Sequence, residues 1–172
     1  MRLLAIAAAA GLSLAFAATA SAGPVIVRPL TVDADLQKKF DDDYGVREIK
    51  ELQDALNRAL AAELAAVGGA VASEGPITIE TTLVDAKPSR PTRAQGDRRP
   101  GLDTIRSVSL GGAELKARIV AADGRVLNEF SYDWYEYDLA NVYGASTWSD
   151  ARRAIRRYAD RVAEAYRVQA PG

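Results

Sequence analysis

The segment Ala113-Glu114-Leu115-Lys116-Ala117-Arg118-Ile119-Val120-Ala121-Ala122-Asp123-Gly124-Arg125-Val126-Leu127 decides the fold class. Ala113, Leu115, Ala117, Ile119 and Ala121 fall on one face, with Glu114, Lys116 and Arg118 on the other. Such alternation marks a strand with one buried side. Asp123-Gly124 then predicts a tight hairpin turn, because both residue types tolerate the positive φ that such turns require. The return strand runs from Arg125 to about Tyr137 and is heavy in aromatics, with Phe130, Tyr132, Trp134, Tyr135 and Tyr137. Upstream, the alternation reads back to Thr104, and Gly111-Gly112 marks a bulge or bend in a long strand.

Outward from the hairpin, two amphipathic helices are legible. Val46, Ile49, Leu52, Leu56, Leu60, Leu64 and Val67 recur at spacings of three and four until Gly68-Gly69 ends the run. Ala151, Ile155, Tyr158, Val162 and Tyr166 form a second stripe, opened by Thr147-Trp148-Ser149-Asp150 with Thr147 or Ser149 as cap. Residues Val25–Val32 and Ile77–Val84 read as β-branched strands around the first helix, a βαβ unit. Pro29 lacks an N–H and places the first strand at an edge or near its own end. Residues 86–102 hold Pro88, Pro91, Pro100, Gly96 and Gly101 with little apolar content and read as a long loop. The order β-α-β-β-β-α predicts an α+β fold: one mainly antiparallel sheet with two helices on one face.

The first 22 residues read as a secretory signal: Arg2, an apolar run, then Ala20-Ser21-Ala22. Cleavage is expected between Ala22 and Gly23, leaving residues 23–172 as one exported domain, periplasmic or secreted, with no transmembrane segment. The 172 residues contain no histidine and no cysteine. That excludes Ser-His-Asp and Cys-His nucleophiles, imidazole and thiolate metal sites, and disulfides. Removal of Arg2 leaves 21 basic against 23 acidic side chains, a balance unlike that of a nucleic-acid binder. No catalytic residue, metal site or cofactor motif emerges: G-x-S-x-G, S-x-x-K, the P-loop and G-x-G-x-x-G are all missing.

Loop 86–102 is the preferred contact. It carries Lys87, Arg90, Arg93, Arg98 and Arg99 against Asp97 alone. Guanidinium forks suit phosphate and carboxylate, so the expected partner is an envelope protein with an acidic surface, or an anionic glycan or lipid head group. Other clusters have plainer readings. Asp33, Asp35, Asp41, Asp42 and Asp43 lack the calcium-loop pattern and read as helix-start charge. Phe130 and Trp134 are expected in the core, with Tyr135, Tyr137 and Tyr143 exposed as a binding patch. Arg152, Arg153, Arg156, Arg157 and Arg161 are expected to pair at i,i+3 and i,i+4 with Asp150, Asp160 and Glu164.

From Ile77 onward, several features occur together. Leu83-Val84-Asp85-Ala86-Lys87-Pro88 leads into the Pro/Arg loop, and Gly111-Gly112-Ala113-Glu114-Leu115 precedes the Asp123-Gly124 hairpin. Trp148-Ser149-Asp150 opens a helix that carries Ala159 and Arg161-Val162. Residues 77–167 thus resemble a family of small Gram-negative envelope proteins of unknown function, many of them lipoproteins. Many relatives are anchored through a cysteine after the signal; this chain has Gly23 there, so the tether does not carry over. The resemblance implies a periplasmic accessory domain and no activity.

The expected function is therefore non-catalytic binding or assembly support at the cell envelope, through the basic loop. The alternatives are a carboxylate-dependent hydrolase of envelope glycan, drawing on Glu80, Asp133 and Glu136, or a structural subunit of an envelope complex with Tyr135 and Tyr137 in its interface.

Overall fold

The computed structural model describes residues 23–142 and 146–169. The expected signal segment and Tyr143 lie outside the described residues. The fold is α+β. Its strands are β1 (Pro24–Val27), β2 (Thr31–Val32), β3 (Ala70–Val71), β4 (Ile77–Lys87), β5 (Gly112–Ala121) and β6 (Val126–Tyr135). Its helices are α1 (Ala34–Lys39), α2 (Arg47–Ala66), α3 (Arg93–Arg98) and α4 (Ser149–Gln169). The sheet runs β3-β1-β4-β5-β6, with β2 also paired to β4. The long neighbours β4–β5 and β5–β6 are antiparallel, and β1 and β2 join β4 in parallel.

The inner face of the sheet follows the alternation read in the sequence. Ile77, Ile79, Thr81 and Leu83 of β4 and Ala113, Leu115, Ala117 and Ile119 of β5 are buried. Leu52, Leu56, Leu60 and Leu64 of α2 and Ala151, Ile155, Tyr158, Val162 and Tyr166 of α4 cover them in one core. Tyr158 belongs to that core although its hydroxyl is polar. It donates to the Lys116 carbonyl at 3.2 Å and meets Thr81 Oγ1 at 2.8 Å, which satisfies the buried oxygen. The Asp123-Gly124 turn forms as the sequence implied, with Gly124 at φ +86° and the Gly124 N–H bonded to the Ala121 carbonyl at 2.9 Å.

Several details differ from the sequence reading. The first strand is two strands, because the chain leaves the sheet at Pro29 and returns at Thr31. β1 is internal, flanked by β3 and β4, so Pro29 marks the end of the strand, as one of its two readings had it, and not an edge. The acidic stretch is helical: α1 passes into a π turn, Phe40–Tyr44, whose Phe40 is fully buried. Residues 104–111 are not strand, and β5 begins only at Gly112. The register shifts fall between Leu83 and Asp85 and between Ile119 and Val120, not at the glycine pair.

Gly111 and Gly112 are required for close approach. A Cβ on Gly112 would lie 2.3 Å from the Trp134 carbonyl oxygen and 2.6 Å from the Tyr135 Cα, both backbone atoms of the paired strand. Gly112→Ala is therefore expected to cost about 2–3 kcal/mol, read as a lower urea midpoint. A variant within about 0.5 kcal/mol of the wild type would show that β6 moves aside freely.

Candidate functional site

Segment 86–102 is folded, not loose. β4 extends through Lys87, and Thr92 and Gln95 form a reciprocal cap that starts α3. Ser89 is fully buried and anchors the segment. Its N–H donates to the Thr147 carbonyl at 2.7 Å, its hydroxyl to Asp150 Oδ2 at 2.8 Å, and its carbonyl accepts from the Ser109 N–H at 2.9 Å. Asp150, 1% exposed, also accepts from the Gly111 N–H at 3.3 Å. The segment is thus tied to the first turn of α4.

Its cations divide into two groups. Arg98 donates to the Asp42 carbonyl at 2.6 Å, and Arg99 pairs with Asp43 at 2.7 Å. The Gln95 amide donates to the other Asp43 oxygen at 2.7 Å. The acidic stretch therefore faces the basic one and neutralises part of it. Lys87 stands over the Tyr135 ring at 4.9 Å. Arg90 donates to the Ile105 carbonyl. Only Arg93 reaches fully outward: its side chain is 90% exposed and 3.9 Å from Asp97, a separation that contributes little.

Between the segment and the π turn lies a cavity of about 400 Å³, lined by Tyr44, Lys87, Pro91, Arg99, Leu102 and Val108 among others. The sequence reading missed the feature beside it. Ile105 is 79% exposed, and Val108 and Leu110 are also open to solvent, with Tyr137 and Leu139 exposed on the connection that follows β6. Val108 and Leu110 alternate with Ser107 and Ser109, which made them look like strand. The usable signal was Gly111-Gly112, where the strand starts.

The aromatics of β6 also separate differently from expectation. β6 is an edge strand, so Phe130, Tyr132 and Trp134 are only half-buried at the margin of the core. Arginines of α4 cover two of them: Arg153 and Arg157 lie 5.2 and 4.7 Å from the Trp134 ring, and Arg161 lies 5.2 Å from Tyr132. The helix arginines thus act across elements. Arg152 pairs with Glu51 and Arg153 with Glu136, and the one pairing within the helix among the described residues is Arg153–Asp150 at 3.9 Å. Tyr135 is half-buried, not free, and donates to Asp85 Oδ2 at 2.8 Å.

Two carboxylates are perturbed. Burial pushes Asp85 up, but the hydrogen bonds from Lys39 and Tyr135 outweigh it and hold the carboxyl below its ordinary value of 3.8. The Asn141 amide holds Glu136 below its ordinary 4.5, helped by the N–H groups of Asp138 and Tyr137 and opposed by burial. Both shifts are downward, so their stabilisation is complete above the ordinary carboxylate range and is lost as pH falls from there through the lowered folded-state values. The urea midpoint is expected to drop as pH falls from about 6 through and below the ordinary carboxylate range, and Asp85→Asn to flatten part of the drop. A midpoint that rises on acidification contradicts this assignment.

The three acids that a hydrolase would need are dispersed. Glu80 is paired with Arg118 at 2.8 Å in mid-sheet. Glu136 is buried and already accepts from four partners. Asp133 stands exposed on the edge strand. Among the described residues, no helix is long and apolar enough to cross a membrane.

No family model matches the chain, and no curated protein matches it. Solved structures similar to it include a PelC dodecamer from Paraburkholderia phytofirmans, 9% identical over 87% of this chain and 88% of that one, with a TM-score of 0.47. A Xanthomonas campestris protein of DUF330 is 14% identical over 88% and 87%, with a TM-score of 0.45. A minor lipoprotein from Acinetobacter baumannii is 14% identical over 87% and 92%, with a TM-score of 0.43. A DUF330 protein and a minor lipoprotein of Gram-negative bacteria are thus among the structures this chain is similar to.

Proposed function

We propose that this chain is a non-catalytic accessory protein of the cell envelope, a binding module whose contact surface is the end of the sheet where segment 86–110 emerges. The observation that carries this reading is the exposure of Ile105, Val108 and Leu110 beside the outward Arg93 and Arg106, whose side chains are each 90% exposed. Apolar side chains held in water favour a partner that covers them. Guanidinium groups at the rim favour one that is acidic. An acidic protein surface meets both requirements, whereas a bare phosphate or glycan offers little apolar area. Lys87, Arg98 and Arg99 shape this surface from within, and Arg90 and Arg93 supply charge at its margin.

Photo-crosslinking in cells tests it. Ile105 and Arg93 are the probe positions, because Gln95 is only 8% exposed and holds Asp43. The expected result is one dominant protein adduct at Ile105, lost when Arg93 and Arg106 are both changed to Glu. Adducts that survive this reversal, or labelling of lipid alone, would overturn the proposal.

A further inference from the structure

The helix-free face of the sheet holds a second feature. Where Pro29 forces the chain out between β1 and β2, residues Arg28 to Thr31 form one wall of a cleft of about 560 Å³. Its floor is built from cross-strand neighbours: Thr82 opposite Lys116, Glu80 opposite Arg118, and Arg118 opposite Glu129. This volume falls within the range of about 300–1,000 Å³ typical of small-molecule sites.

The polar groups of the cleft are arranged and incompletely used. Arg118 is held by Glu80 Oε2 at 2.8 Å and by Glu129 Oε2 at 3.4 Å. The second oxygen of each acid accepts nothing among the described residues. The side chains of Arg28 and Lys116 make no ion pair or hydrogen bond among the described residues. Thr31 and Thr82 add hydroxyls that donate or accept. The cleft therefore offers two unused cations and two unused carboxylate acceptors. A simple anion would meet the cations but be repelled by the acids. A neutral polyol would meet the acids but leave the cations idle.

We propose that this cleft binds an acidic sugar. Its carboxylate lies between Arg28 and Lys116, and its ring hydroxyls donate to the free oxygens of Glu80 and Glu129 and exchange hydrogen bonds with Thr31 and Thr82. The site stands on the β1–β2 connection, β2, β4, β5 and β6 and is independent of the protein-contact surface at the sheet end.

Sodium glucuronate is the probe, with glucose and inorganic phosphate as controls, titrated into the isotope-labelled protein and followed by amide chemical shifts. Saturable shifts with glucuronate are expected at Thr31, Thr82, Lys116 and Arg118, and weaker responses with either control. Arg28→Ala combined with Lys116→Ala is expected to weaken glucuronate binding about tenfold or more. Glu80→Gln is expected to weaken glucuronate and strengthen phosphate, while Lys50→Ala, on the exposed side of α2, leaves both unchanged. The wild-type titration locates the site even if a variant folds poorly. No saturable shift in the cleft, equal responses to glucuronate and phosphate, or shifts confined to residues 87–99 would each overturn the proposal.

Discussion

Asp150→Ala is expected to lower unfolding stability by about 3–4 kcal/mol. The carboxylate is buried and accepts from the Ser89 hydroxyl at 2.8 Å and the Gly111 N–H at 3.3 Å. Truncation leaves both donors without a partner away from water, and each orphaned group costs about 1–3 kcal/mol. It also removes a charge 3.9 Å from Arg153 and an acid from the first turn of α4, where the helix dipole favours one. Asp150→Asn keeps an acceptor and is expected to lose about half as much. Urea denaturation reads the difference, and a loss under about 1 kcal/mol for the alanine variant would show that water replaces the carboxylate. Faster amide exchange at Ser89 and Ser109 is expected alongside, since the Ser89 anchor holds segment 88–111 to the body.

Trp148→Ala is expected to cost about 4 kcal/mol. Trp148 is fully buried beside Asp150 at the start of α4 and packs on Phe40 and Tyr44 at ring separations of 6.0 and 5.8 Å. Its indole N–H donates to Glu48 Oε2 at 2.6 Å. One side chain therefore joins the π turn, the start of α2 and the start of α4. Removing it opens a cavity that rigid neighbours close only in part. Trp148→Phe retains most of the packing and loses the hydrogen bond, for an expected cost of about 1–2 kcal/mol. Acrylamide quenching provides a second reading: in the wild type the shielded emission belongs to Trp148 and the accessible emission to Trp134. A stability loss below about 1.5 kcal/mol for Trp148→Ala would show that the aromatic cluster repacks. Because Trp148 and Asp150 serve the same helix start, their combined loss is expected to be smaller than the sum.

The fold was legible wherever one face of an element is buried. The three- and four-residue recurrence from Val46 to Val67, the alternation from Ala113 to Ala121 and the Asp123-Gly124 turn each express a local rule that the core enforces, and each element formed. Hidden were the parts whose structure depends on distant partners. Phe40 to Tyr44 reads as charge ahead of a helix until Trp148 supplies an apolar neighbour. Gly111-Gly112 reads as a bulge until Trp134 and Tyr135 approach it across the sheet. The cleft at Arg28 and Lys116 joins residues far apart in the chain and has no local pattern at all.

Charge shows the same division. Composition and order determined what this chain lacks, where its helices and long strands lie, and that a basic segment precedes the hairpin. Tertiary structure alone decided which partner each cation meets. Arg98 and Arg99 meet Asp42 and Asp43, Arg153 and Arg157 lie on Trp134, and Arg93 is left outside. Hydrophobic periodicity is local because the backbone sets the face each residue occupies. The partner of a long charged side chain is not, because it is chosen among whatever groups the folded chain brings within a few ångströms.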